Sequence, residues 1–144
     1  MLVQAPSPEH VPLGVPVATH TQTGLTGGTG FGGSTHLVEV LHIPGCPNHQ
    51  SLMARLPRIV EDSRVNAIVI ERIIADEAGA RAERFLGSPT VRIDGMDVDP
   101  HAAVRTGVGL SCRLYRTETG LQGSPPDQWI ARALRQATGE LRPP

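Results

Sequence analysis

The sequence is organised around a strand-like run that is interrupted by Pro44-Gly45 and followed at once by a cysteine. Residues 37–43 are apolar and largely branched, which predicts a buried β-strand. Cys46 and Pro47 then stand where an amphipathic helix begins, because proline is favoured at the first helical position. The unpaired N–H groups and the positive dipole end of such a helix stabilise a thiolate relative to a thiol. The pattern therefore predicts a nucleophilic Cys46 at a strand-to-helix corner, the alternative being a cysteine that packs as a small hydrophobe.

Residues 1–34 differ in composition from the rest of the chain, with four prolines in the first sixteen residues and six glycines between Gly24 and Gly33. Such a segment has too little apolar surface to offset its ordering entropy, so it is predicted to be a disordered leader before one folded domain over residues 35–144. Residues 28–33 spell G-x-G-x-x-G. The dinucleotide fingerprint follows a strand and opens a helix, whereas this stretch precedes a strand, so no cofactor is expected there.

Hydrophobic periodicity and turn signals predict an α/β domain with the order β-α-β-α-β-β-α, in which the first two strands are parallel. The helix after Cys46 is expected to kink at Pro57. A hairpin is expected at Asp94-Gly95. The other expected elements are a strand over 67–74, a helix over 76–86 capped by Asp76, strands over 90–93 and 96–98, a loop over 99–110, a strand over 112–116 and a last helix that starts at Pro125-Pro126-Asp127.

The overall composition excludes several classes of partner. The net charge is −1, and only four side chains are aromatic, which argues against a nucleic-acid-binding protein. No apolar run approaches the length of a membrane span, and the N-terminus lacks the pattern of a secretory signal. We therefore expect a cytoplasmic protein without a membrane partner, in which two cysteines are reactive rather than a permanent disulfide.

Two further residues can act together with Cys46. The third strand is predicted to start beside Cys46, so its antiparallel partner returns to the same end, and the loop over 99–110 can bring Cys112 there. Cys112 is thus the candidate resolving cysteine, the alternative being a cysteine buried in a strand.

His49 lies one helical turn after Cys46 and would stabilise a thiolate if protonated. Alternatively, His49 is a surface residue that merely continues the helix.

The only group of potential zinc ligands in the sequence is His36, His42, Cys46 and His49. Because His36 and His42 lie at the start and on the body of a strand, convergence with Cys46 is not expected. The sequence therefore predicts no metal site.

The order of elements, with Cys46 at the first corner and Ser88-Pro89-Thr90 before the third strand, resembles the thioredoxin fold. In that fold a cis-proline lies against the active cysteine, which implies a cis peptide bond at Pro89. The backbone just before this proline pairs with an extended substrate, which implies that Ser88 and Pro89 bind substrate.

A closer likeness rests on short motifs. G-C-P-N at 45–48, G-S-P-T at 87–90, I-D-G at 93–95, G-L-S-C-R-L-Y-R at 109–116 and the P-P-D-Q-W helix start are similar to a small actinobacterial family of thioredoxin-like (seleno)proteins. Some relatives carry selenocysteine at the position of Cys46, which implies redox or soft-electrophile chemistry, and some are labelled alkylmercury lyases. The chain departs from ordinary thioredoxins because His49 replaces the second cysteine of C-x-x-C.

Three hypotheses follow. In the first, the protein is a thiol oxidoreductase in which Cys46 attacks a disulfide, peroxide or other soft electrophile, and Cys112 or an external reducing thiol resolves the intermediate. In the second, it is a binding module that keeps the thioredoxin fold without turnover. In the third, both thiols hold Hg(II) or an organomercurial, and Asp97 or Asp99 supplies a proton.

Overall fold

The computed structural model describes residues 34–139, so almost all of the predicted leader lies outside the described residues. The described part is a mixed α/β fold with one four-stranded sheet, a separate two-stranded hairpin and three α-helices. The elements are β1 (His36–His42), α1 (Pro47–Ser63), β2 (Ala67–Ile73), α2 (Glu77–Ala82), β3 (Thr90–Ile93), β4 (Met96–Asp97), β5 (Tyr115–Thr117), β6 (Gly120–Gln122) and α3 (Asp127–Ala137), with a 3₁₀ turn at Ala102–Val104.

The four-stranded sheet has the order β2-β1-β3-β4. Strands β1 and β2 are parallel, with His42 opposite Ile73, which confirms the predicted parallel pair. Strand β3 runs antiparallel to β1, with Leu41 opposite Thr90, and β4 returns antiparallel to β3 after the predicted turn at Asp94-Gly95. The end of β1, the start of β3 and the end of β4 therefore meet at one edge of the sheet.

Helices pack on both faces of the sheet. Helices α1 and α3 pack against each other and cover one face. Their shared core consists of Val38, Val40, Leu52, Leu56, Ile59, Val65, Val91, Ile93, Val98, Ile130 and Leu134. On the other face, α2 closes a smaller core of Leu41, Ile74, Ala80 and Phe85. Alternation along β1 thus directs Val38 and Val40 toward α1 and Leu41 toward α2.

Several predicted helix boundaries are confirmed, and another lies at a different residue. Asp76 caps α2 by accepting a hydrogen bond from the Gly79 N–H, as predicted, and α3 begins at Asp127. Helix α2 ends at Ala82 rather than at Leu86, because the chain turns to a positive φ at Arg84. Helix α1 runs unbroken through Pro57. Among the described residues, none of the helices has the length and apolar character needed to cross a bilayer.

The strand predicted at 112–116 is also displaced. Strand β5 begins at Tyr115 and turns into β6 at Gly120, whereas Cys112 lies before it and forms an isolated bridge with Ser88. The reason is that the backbone around Cys112 pairs with the loop before β3 and not with β6. This displacement positions Cys112, as described below.

Asp94 in the β3–β4 turn is tied to the start of β1. Its carboxylate accepts a hydrogen bond from the Leu37 N–H at 2.9 Å and lies 2.6 Å from His36 Nδ1. The backbone hydrogen bond from Leu37, followed by that of His36, holds the pKa of the Asp94 carboxyl below its usual range. The ionised carboxylate is therefore bound more favourably in the folded chain than in the unfolded chain.

This shift gives a pH-dependent contribution to stability. A carboxyl whose pKa is lowered on folding stabilises the fold above its unfolded pKa of about 3.9, and the contribution is lost as the pH falls through the lower folded value. Asp94→Asn keeps the shape of the side chain and removes its charge, so we expect a shallower loss of stability toward acid. Unfolding midpoints measured from about pH 6 down to pH 2 test this. The exposed Asp62→Asn is the control, and an acid slope unchanged by Asp94→Asn would contradict the assignment.

Candidate functional site

Cys46 lies at the corner where the chain leaves β1 and enters α1. It is the N-cap residue of the helix, Pro47 follows at its first position, and the Cys46 carbonyl accepts the His49 N–H at 3.2 Å. Its side chain makes no capping hydrogen bond, and the residue is only 4 % exposed. The predicted corner is confirmed. The burial of Cys46, however, is what the alternative of a packing cysteine requires, so placement alone does not establish a nucleophile.

The loop before β3 lies against the end of β1. The Ser88–Pro89 peptide bond is cis, which confirms the expectation from the resemblance. Ser88 is fully buried, and its Oγ accepts a hydrogen bond from the Ile43 N–H at 3.1 Å. The Pro89 carbonyl accepts the buried Tyr115 hydroxyl at 2.6 Å. Ser88 is therefore fixed beside the backbone that leads into the Cys46 corner.

The backbone of Ser88 is already paired within the chain. Its N–H donates to the Ser111 carbonyl at 2.8 Å, and its carbonyl accepts the Arg113 N–H at 2.9 Å. These bonds form a parallel bridge in which Cys112 is the partner of Ser88. We call residues 111–113 the paired segment. The backbone groups expected to bind an extended substrate are thus occupied, and a substrate can use them only if the paired segment moves away.

Arg113 anchors the paired segment in the interior. Its buried guanidinium donates to Asp97 at 2.8 and 3.1 Å, to Asp99 at 3.1 Å and to Thr90 Oγ1 at 2.8 Å. It also lies 4.5 Å from the centre of the Tyr115 ring, whose own burial raises the pKa of the Tyr115 hydroxyl. Arg113 follows Cys112 directly, so this network also fixes the backbone that carries the second thiol.

The same network bears on the mercury hypothesis. Asp97 and Asp99 were the carboxylates expected to supply a proton during carbon–mercury cleavage, but both accept hydrogen bonds from Arg113. Both carboxylates are thus already bound by a buried guanidinium through charge-assisted hydrogen bonds. The two carboxylates therefore stabilise the paired segment instead of lying free beside the thiols.

The two cysteines differ in exposure and are not joined. Both are free thiols; Cys46 is buried and Cys112 is exposed. The alternative in which Cys112 is buried in a strand is therefore wrong. The reason is that the paired segment runs along the surface beside Ser88, outside the four-stranded sheet.

His49 is engaged by two partners that the sequence did not reveal. Its Nε2 lies 2.5 Å from the Glu71 carboxylate, and its ring stacks on that of His42 with centroids 3.5 Å apart. Its side chain is 14 % exposed, and the residue continues the first turn of α1. His36, at the other end of β1, pairs with Asp94 instead, which confirms that His36 does not converge on the corner. The one available signal for Glu71 was that it and Arg72 are adjacent charges in an apolar stretch of strand.

The described residues thus form two groups of side chains near the end of β1. Ser88 and Cys112 are paired through their backbones, and Ser88 is hydrogen-bonded to Ile43, three residues before Cys46. The second group consists of His42, His49 and Glu71. Comparisons of the chain with protein-family models, with curated proteins and with solved structures give no match.

Proposed function

We propose that the protein is a thioredoxin-like thiol oxidoreductase in which Cys46 and Cys112 form a redox pair. The observation that carries this proposal is the bridge between Cys112 and Ser88, because the Ser88 side chain is hydrogen-bonded to Ile43 at the entrance to the Cys46 corner. The sheet order β2-β1-β3-β4 and its strand directions agree with the resemblance to the thioredoxin fold. The paired segment supplies the second thiol that C-x-x-C provides in ordinary thioredoxins.

The difference in solvent exposure between the two cysteines indicates which of them reacts first. The exposed Cys112 is accessible to an external disulfide, whereas Cys46 is buried at the N-terminus of α1. We therefore place Cys112 as the first nucleophile and Cys46 as the resolving cysteine. This order is the reverse of the one predicted from the sequence, and the reason is the burial of Cys46.

The reaction then has two exchange steps. The Cys112 thiolate attacks one sulfur of an external disulfide, forms a mixed disulfide and releases the first external thiolate. The Cys46 thiolate attacks the Cys112 sulfur, forms the Cys46–Cys112 disulfide and releases the second external thiolate. Two protein thiols are oxidised, one external disulfide is reduced, and the protons of the two protein thiols end on the two released thiols. A reducing thiol partner restores the starting state by the same exchange in reverse.

Trapping the mixed disulfide tests both the pair and the order. We expect wild-type protein treated with oxidised glutathione to form an intramolecular disulfide, seen by mass spectrometry as the loss of two hydrogens. In Cys46→Ser a glutathione adduct should accumulate on Cys112, because the resolving thiol is missing. In Cys112→Ser the buried Cys46 should react more than about tenfold more slowly. Ser111→Ala, an exposed neighbour, is the matched control and should behave as wild type.

Two results would contradict the proposal, one its order of attack and the other the redox pair itself. A glutathione adduct that accumulates on Cys46 in Cys112→Ser, with Cys112 inert, would contradict the proposed order and restore Cys46 as the first nucleophile. A folded wild-type chain that forms no intramolecular disulfide would contradict the redox pair, since the bond needs Cα atoms within about 7 Å. The binding-module hypothesis would then be the better account.

A further inference from the structure

Three ligand-type side chains from three different elements meet at the carboxyl ends of the parallel strands. His42 ends β1, Glu71 lies in β2, and His49 lies in the first turn of α1. One ligand atom of each lies within 4.8 Å of the ligand atoms of the other two. In open α/β sheets this end of the strands is where ligands bind. We refer to these three residues as the histidine–glutamate cluster.

The distances in this cluster suit a small metal ion. Glu71 Oε2 lies 2.5 Å from His49 Nε2 and 3.8 Å from His42 Nε2. Tetrahedral zinc, with bonds of about 2.0–2.1 Å, keeps its ligand atoms about 3.3 Å apart. The two observed distances lie on either side of that value. An ion can therefore be held after side-chain movements on the order of 1 Å and a tilt of the stacked rings.

The orientation of His42 is that of a metal ligand. Its Nδ1 lies 3.1 Å from the Ile43 carbonyl, to which the ring N–H donates, and Nε2 is the ring nitrogen that lies toward Glu71, at 3.8 Å. Histidines that bind metals usually donate their other ring N–H to a backbone carbonyl or carboxylate in this way. The backbone at the start of the Cys46 corner thus holds the tautomer that coordination requires.

The histidine–glutamate cluster is protected from solvent on the side of its two histidines and exposed on the side of Glu71. The His42 and His49 side chains are 9 % and 14 % exposed, whereas that of Glu71 is 46 % exposed. An ion bound here would have two imidazoles on its protected side and solvent on the other. Two histidines and one glutamate, with a remaining position for water, form a ligand set known from catalytic zinc sites.

We propose that His42, His49 and Glu71 bind one divalent transition-metal ion, with Zn(II) as the ion that best matches this ligand set. Imidazole and carboxylate are ligands that zinc accepts readily, and the site does not use either thiol. The metal site is therefore distinct from the proposed redox pair, although His49 and Cys46 belong to the same turn of chain. The sequence analysis predicted no metal site because it considered His36 and Cys46, whereas the third ligand in the cluster is Glu71.

Metal titration of the full-length chain tests this site. With both cysteines kept reduced, we expect calorimetry to show one Zn(II) per chain at the cluster, and we expect added Co(II) to give a visible spectrum without a sulfur-to-metal charge-transfer band. Glu71→Gln and His49→Gln should each weaken binding by about tenfold or more. His101→Gln, an exposed histidine outside the cluster, is the matched control and should bind as wild type.

Four results would overturn the proposal. The first is the absence of binding by a wild-type chain whose fold is intact by circular dichroism. The second is equal affinity in wild type, Glu71→Gln and His49→Gln. The third is a sulfur-to-metal band that disappears in Cys46→Ser or Cys112→Ser, which would place the ion on the thiols. The double variant His10→Gln/His20→Gln is expected to keep full affinity, and a loss there would move the site to the N-terminal residues.

Discussion

Arg113→Ala is expected to lower the free energy of unfolding by about 3–5 kcal/mol, the range typical for removal of one partner from a buried ion pair. The guanidinium is fully buried between Asp97 and Asp99, whose side chains are 12 % and 2 % exposed. Its removal takes the guanidinium away from two carboxylates that have little water, and the guanidinium nearest to Asp99 is then the more distant one of Arg105, at 3.6 Å. It also removes the hydrogen bond to Thr90 and the contact with the Tyr115 ring.

Urea unfolding followed by the fluorescence of the single tryptophan, Trp129, measures this change. Arg116→Ala is the matched control, because this exposed arginine lies nearby in β5, and we expect an effect within about 0.5 kcal/mol. Arg113→Lys should fall between the two, since it keeps the charge and loses the planar, two-pronged contact with Asp97. A loss below about 1 kcal/mol for Arg113→Ala would show that the carboxylates find other partners or water, and would contradict the anchoring role.

Gly87→Ala is the second change with a large expected effect, about 2–5 kcal/mol, from backbone strain and overpacking together. Gly87 has a φ of +127°, which L side chains rarely adopt. A Cβ at this position would lie 2.8 Å from Arg113 Cβ and 3.1 Å from Arg113 Cα. Neither atom belongs to a flexible side-chain end, so the paired segment itself must shift away from the loop before β3.

The same unfolding assay compares Gly87→Ala with Gly95→Ala. Gly95 also has a positive φ, +87°, but a Cβ there meets nothing within 4 Å, so only the backbone cost of about 1 kcal/mol is expected. Hydrogen exchange gives a second measurement, because the N–H groups of Ser88 and Arg113 close the bridge. We expect faster exchange at both in Gly87→Ala alone. Equal stability and equal exchange in the two variants would show that the close approach to Arg113 is unimportant.

Local signals in the sequence determined much of the fold. The Pro44-Gly45 break predicted where β1 ends, and Pro47 predicted the start of α1 with Cys46 as its cap. Asp76 predicted the beginning of α2, and Asp94-Gly95 predicted the turn into β4. Each of these features depends on the backbone preferences and hydrogen bonds of a few neighbouring residues, which is why they can be predicted without knowledge of the rest of the chain.

The composition of the candidate sites was decided by contacts between residues far apart in sequence. Glu71 meets His49 because β1 and β2 pair in one particular register, which the sequence of either strand does not specify alone. Cys112 pairs with Ser88 because Arg113 buries its charge between Asp97 and Asp99. The position of Cys46 at the strand-to-helix corner was therefore determined by the sequence. Its burial, its neighbours and the exposed position of the second thiol were set by tertiary packing, because each depends on which distant side chains share the same interior.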